Sequence, residues 1–147
     1  MKKILPIFFL FLPQLVNAKL QGQAQLDSLT AVLNTTKFSE LHDSDKATIL
    51  GQLSFAFRQT DPNEGLKFGW QELEIAQKTG IKSRISGANM NIASNYLIKA
   101  DYTNAFKYYT AALEIAEAVN DYWRMASANC DIGLVFIRMR EYDKALA

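Results

Sequence analysis

The residue types nearest to acid–base chemistry are the carboxylates Glu72, Glu74, Glu114 and Glu117. A paired-carboxylate mechanism needs one carboxyl held protonated and a second held ionised. On amphipathic helices these four read instead as solvated charges on exposed faces, with no pocket to raise a pKa. His42, in Glu40-Leu41-His42-Asp43, has no neighbouring ligand and reads as a solvent-exposed linker histidine. Cys130 is the single cysteine, which excludes an internal disulfide and a multi-cysteine metal site. It reads as a small apolar helix residue rather than a redox thiol. The aromatics Phe68, Trp70, Tyr108, Tyr109, Tyr122 and Trp123 could stack bases or a sugar, but no basic surplus accompanies them. They read as packing residues of helices. No glycine-rich phosphate loop, serine nucleophile elbow or zinc-protease motif occurs. The expectation is no catalytic residue, no cofactor, no metal and no enzyme activity within this chain.

The elements that carry these residues follow from the rest of the sequence. The chain has 147 residues, 49% hydrophobic and 21% charged, which suits about one globular domain. Sixteen Lys and Arg against fifteen Asp and Glu give a formal charge of +1, so nothing points to nucleic acid. Residues 1–18 have the order of an export signal. Lys2 and Lys3 precede the apolar stretch Ile4 to Leu12, Pro13 breaks it, and Val16-Asn17-Ala18 suits cleavage after Ala18. The apolar run is shorter than the roughly 20 residues of a spanning helix. The localisation expected is periplasmic or extracytoplasmic.

Beyond residue 18 the sequence repeats itself. Shifted by 40 residues, Ala88-Asn89-Met90-Asn91-Ile92-Ala93 lies over Ala128-Asn129-Cys130-Asp131-Ile132-Gly133, and Tyr96 over Phe136. Leu73-Glu74-Ile75-Ala76 lies over Leu113-Glu114-Ile115-Ala116 at the same offset. Upstream of Asp61 the shift drops by one, which a one-residue deletion in the turn between two helices explains. Each unit reads as a helix pair. Ala88, Ile92, Ala93 and Tyr96 share one helical face, and Ala105, Tyr108, Tyr109, Ala112, Leu113 and Ala116 share another. Asp61-Pro62-Asn63-Glu64 has the N-cap, first-turn Pro and N3 Glu of a helix start, and Gly80 suits a left-handed stop. No strand signal occurs in residues 19–147.

This pattern resembles the tetratricopeptide repeat in a variant with longer helices, over roughly residues 44–147. Ala93 and Gly133 match the family's small residue at position 8, and Tyr96 and Phe136 its aromatic at position 11. Ala105 and Ala145 match position 20, Tyr109 position 24 and Ala112 position 27. The first unit departs from the pattern, with Ser54, Gly65, Gly69 and Glu72 at small or aromatic positions. The resemblance implies an all-α, right-handed superhelical solenoid of antiparallel helix pairs. It implies a division into a signal (1–18), a short helix and polar linker (19–43), and repeats at about 44–81, 82–121 and 122–147. The third repeat reads as truncated, so Ile132, Val135, Phe136 and Leu146 are expected to lack a covering partner, and the open end could self-associate.

Such solenoids bind along the concave groove lined by the first helix of each unit. By register the groove-facing residues are Gln52, Phe55 and Gln59, then Asn91, Ser94 and Ile98, then Asp131, Leu134 and Arg138. Their chemistry suits a protein or peptide ligand, its backbone held by Gln52, Asn91 or Asp131 and its side chains by Phe55, Ile98 and Leu134. The function expected is a non-catalytic interaction scaffold. The alternative is the extracytoplasmic input region of a membrane signalling protein, such as a histidine kinase or cyclase, because exported repeat proteins of bacterial sensors begin in a similar way. Any membrane anchor would then lie in downstream sequence.

Overall fold

A computed structural model describes residues 24, 26–33 and 36–145. The signal segment and Leu146 lie outside the described residues. All regular structure described is helical: α1 (26–33), α2 (Thr36–Glu40), α3 (Asp43–Phe57), α4 (Pro62–Thr79), α5 (Lys82–Ile98), α6 (Tyr102–Ala118), α7 (Tyr122–Met139) and α8 (Tyr142–Ala145). Each long helix packs on the next in the chain, α3 on α4 through α6 on α7. The first helices of successive units also meet, α3 with α5 and α5 with α7. The fold is a solenoid of antiparallel helix pairs.

The helix boundaries follow a punctuation visible in the backbone. Gly80, Ala100, Asn120 and Arg140 all take a left-handed conformation, with φ of 71°, 59°, 56° and 62°. Each reverses the chain at the end of a long helix and leaves carbonyls that the next amides can reach. Amides of Asp101, Asp121 and Glu141 donate to the carbonyls of Tyr96, Ala116 and Phe136, all at 2.9 Å. The following aspartates then open the next helix. The Asp101 carboxylate accepts from the Asn104 amide at 3.1 Å, and that of Asp121 from the Arg124 amide at 3.1 Å. Each such bond satisfies one of the donors that a helix start leaves free.

The first unit breaks this rule where the register slips. Here the Asp61 amide reaches back only four residues, to the Phe57 carbonyl at 2.8 Å, and α3 ends at Arg58 in right-handed conformation. One residue fewer removes the left-handed step. Asp61 still caps α4, accepting from the amides of Asn63 (3.0 Å) and Glu64 (3.3 Å), with Pro62 in the first turn.

Small residues set the packing distance. Ala76, Ala88, Ala93, Ala105, Ala112 and Ala116 have no exposed surface, and Ile92, Tyr109 and Val135 fill the space between them. Gly69 stands where the second unit has Tyr109, and Ile92 and the Ser54 hydroxyl take the vacated room. A Cβ on Gly69 would lie 3.0 Å from each of them. Ser54 Oγ donates to the Gly65 carbonyl at 2.7 Å, and Asn95 Nδ2 lies 3.2 Å from the Ser54 carbonyl and hydroxyl. At this one slot buried hydrogen bonds thus take the place of an aromatic ring, while Phe57 and Phe68 still stack nearby in the first unit.

Both ends of the repeats carry more packing than expected. In the segment expected to hold a short helix and a polar linker, a second helix α2 also forms, and Phe38 packs against Leu26, Leu50, Leu53 and Phe68. Val135 is fully buried, against Ala93, Ala105 and Tyr109, and Phe136 packs on Phe106 with ring centroids 5.3 Å apart. Both helices of the preceding unit cover Val135, and α6 packs on Phe136.

Candidate ligand-binding groove

The side of the solenoid lined by first helices holds a cavity of about 830 Å³. From α3 come Thr48, Gly51, Gln52, Phe55 and Ala56, from α5 Arg84, Gly87, Met90 and Asn91, and from α7 Trp123 and Arg124. Leu26 on α1 and Glu72 on α4 also reach it, as do Arg58, Gln59 and Thr60 in the turn after α3. Of the nine residues expected in the groove, Gln52, Phe55, Gln59 and Asn91 line this cavity. Ser94, Ile98, Asp131, Leu134 and Arg138 do not. Ser94 Oγ donates to the Asn91 carbonyl at 2.9 Å, so its hydroxyl serves its own helix. Asp131 is half-buried and hydrogen-bonds Tyr109; burial raises both pKa values, and the Asp131 charge pushes that of Tyr109 further. Ile98 and Arg138 are exposed further along.

The residue that departs most from its sequence reading is Glu72. It is only 9% exposed rather than solvated. It occupies the place of Ala112 in the next unit and points inward between α3 and α5. Gly51 makes this possible, since a Cβ there would stand 2.6 Å from the Glu72 Oε1. Asn91 Nδ2 donates to Oε2 at 2.8 Å. Burial pushes the Glu72 carboxyl up to about 7, against the opposing pull of Asn91 and, more weakly, of Arg84 and Arg124. A half-ionised group therefore sits in the cavity wall near neutral pH.

Two of the cavity's three cations, Arg84 and Arg58, are positioned by uncharged groups, and the third, Arg124, is ion-paired. Arg84 Nη1 donates to Thr48 Oγ1 at 3.0 Å and Nη2 to Ser44 Oγ at 3.3 Å, both uncharged acceptors. Arg124 pairs with Asp121 at the start of its own helix, and its guanidinium passes over Gly87. Arg58 stacks on Phe55, 3.6 Å from the ring centroid. Trp123 is 73% exposed, like its neighbour Tyr122, so the reading of these two as packing aromatics is wrong. Trp70 does pack, edge-on to Tyr108 at 5.3 Å on the opposite, second-helix side. Cys130 and His42 are both exposed. Among the described residues no cluster of metal-ligating side chains occurs, and no helix is long and apolar enough to cross a membrane.

Arg84 and Arg124 lie 40 residues apart, so the same offset that exposes the repeat also marks a repeated cation. Glu72 had a weaker signal: a carboxylate at a position where the next unit has a buried alanine.

Comparison with known proteins agrees with this architecture. Residues 84–147 match the tetratricopeptide repeat family, whose members serve in general as non-catalytic scaffolds that bind proteins. No curated protein matches the sequence. The fold is similar to the crystal structure of aspartyl phosphate phosphatase F from Bacillus subtilis, with a TM-score of 0.72 at 18% identity. That match covers 86% of this chain and 36% of the other, so the present chain spans about a third of its neighbour's length.

Proposed function

We propose that the chain is an exported, non-catalytic scaffold that holds a protein or peptide segment along the inner face of α3, α5 and α7. The observation that carries this reading is the 830 Å³ cavity shared by three successive first helices. It offers amide groups (Gln52, Gln59, Asn91) beside apolar surface (Phe55, Met90, Trp123). An extended backbone needs the former and its side chains the latter. Export rests on the charged, apolar and small-residue order of residues 1–18.

Peptides selected from a displayed library on the folded chain test the site. Asn91→Ala and Phe55→Ala should each weaken a selected peptide by about tenfold or more, while Trp70→Ala on the opposite face leaves it unchanged. The reverse pattern refutes the groove. A second reading is the input region of a membrane signalling protein, supported by the resemblance of the signal, short helix and repeats to the start of exported bacterial sensors. Its test is the reading frame beyond Ala147: an apolar span and an output domain support it, and a stop codon rejects it.

A further inference from the structure

We propose that the occupant of this groove is an acidic peptide segment, its side-chain carboxylates against Arg84, Arg124 and Arg58 and an apolar side chain between Phe55, Met90 and Trp123. The inference rests on the reading of the groove as the ligand site and adds the chemistry of the ligand. The chain as a whole is almost neutral, at +1. The cavity is not: its charged lining is three arginines and one glutamate. That glutamate is buried, hydrogen-bonded by Asn91, and only partly ionised near neutral pH. Asp121 offsets Arg124 and Asp131 acts on Arg58, so the cationic excess of the lining is carried chiefly by Arg84 and Arg58, and it arises from placement rather than composition.

The arginines are also prepared for carboxylates. The contacts that hold Arg84 and Arg58 are with uncharged groups, and Glu72 and Asp131 act on them through space. Two hydroxyls fix the Arg84 guanidinium without neutralising it, and the Phe55 ring supports that of Arg58. A planar guanidinium held in this way loses little freedom when it binds a carboxylate in bidentate fashion. The exposed Trp123 beside Arg124 gives an apolar contact next to the charged one, which is the amphipathic pattern that an alternating acidic and apolar segment would meet.

Fluorescence anisotropy with three end-capped peptides tests the proposal, Leu alternating with Glu, Gln or Lys. End-capping leaves side-chain carboxylates as the only acidic groups. The Glu peptide should bind at least about tenfold more tightly than the Gln peptide, with the Lys peptide weakest. Added sodium chloride should weaken only the Glu peptide, since exposed charges are screened. Arg84→Gln should weaken it by about tenfold and leave the Gln peptide unchanged. The salt titration on the unaltered protein covers the case in which that variant fails to fold. Equal or tighter binding of the Gln or Lys peptide, still lost in Phe55→Ala, overturns the acidic ligand and retains the groove. Binding that ignores both Phe55→Ala and Arg84→Gln overturns both. Failure of the Glu peptide to bind overturns the acidic ligand, and the library-selected peptides then decide the groove separately.

Discussion

Replacing Glu72 by Gln should stabilise the protein at alkaline pH and do little in acid. In the unfolded chain this carboxyl titrates at its ordinary value of 4.5, and in the folded chain at about 7. Between these values the native state binds a proton that the unfolded chain has released, so stability falls as the pH rises. The loss is absent below about 4.5 and complete above about 7. At about 1.4 kcal/mol per pH unit the gap amounts to about 3 kcal/mol. Gln keeps the shape and an acceptor for Asn91 Nδ2, 2.8 Å away in the parent, but has no charge to desolvate. Thermal melts of the two proteins from about pH 5 to about pH 8 give the comparison. The parent midpoint should fall by several degrees across that range, while the variant's trace should lack this component. Near pH 5 the two should nearly coincide. A parent whose stability stays level from pH 5 to 8, or a variant less stable than the parent at pH 8, would refute the burial argument.

Two further substitutions probe the packing and the helix stops. Gly65→Ala should cost about 1–3 kcal/mol in chemical denaturation, because the new Cβ would stand 2.0 Å from Asn95 Oδ1 and 3.0 Å from the Ser54 carbonyl oxygen; an unchanged midpoint would show that the first unit is looser than described. Ala100→Gly should gain about 0.5–1 kcal/mol, since Ala100 is exposed and holds φ at 59°; a loss in the same denaturation experiment would mean that the left-handed turn is not strained.

The helix pairs were legible because their cause is local and repeated. The 40-residue offset, the apolar stripes, Asp61 with Pro62, and Gly80 as a stop all have direct counterparts in the structure. The stops at Ala100, Asn120 and Arg140 were less visible, because a non-glycine residue in left-handed conformation leaves little trace in its type. Register also placed Gln52, Phe55, Gln59 and Asn91 on the side that holds the cavity. It could not say where along the stack the face deepens into a cavity. Leu26, Trp123 and Arg124 enter it from the edges, and Asp131 is drawn away towards Tyr109. Glu72 was misread because exposure was inferred from charge. Its burial depends on a glycine 21 positions earlier, a pairing that only the packed helices reveal.

The central claim is that ligand binds on the faces of α3, α5 and α7 that surround the cavity. Amide hydrogen exchange of the full chain, with and without a selected peptide, tests it most directly. Protection should rise in α3, α5 and the first turns of α7, with α4 and α6 little changed. Protection concentrated in α4 and α6, around Trp70 and Tyr108, would contradict the account.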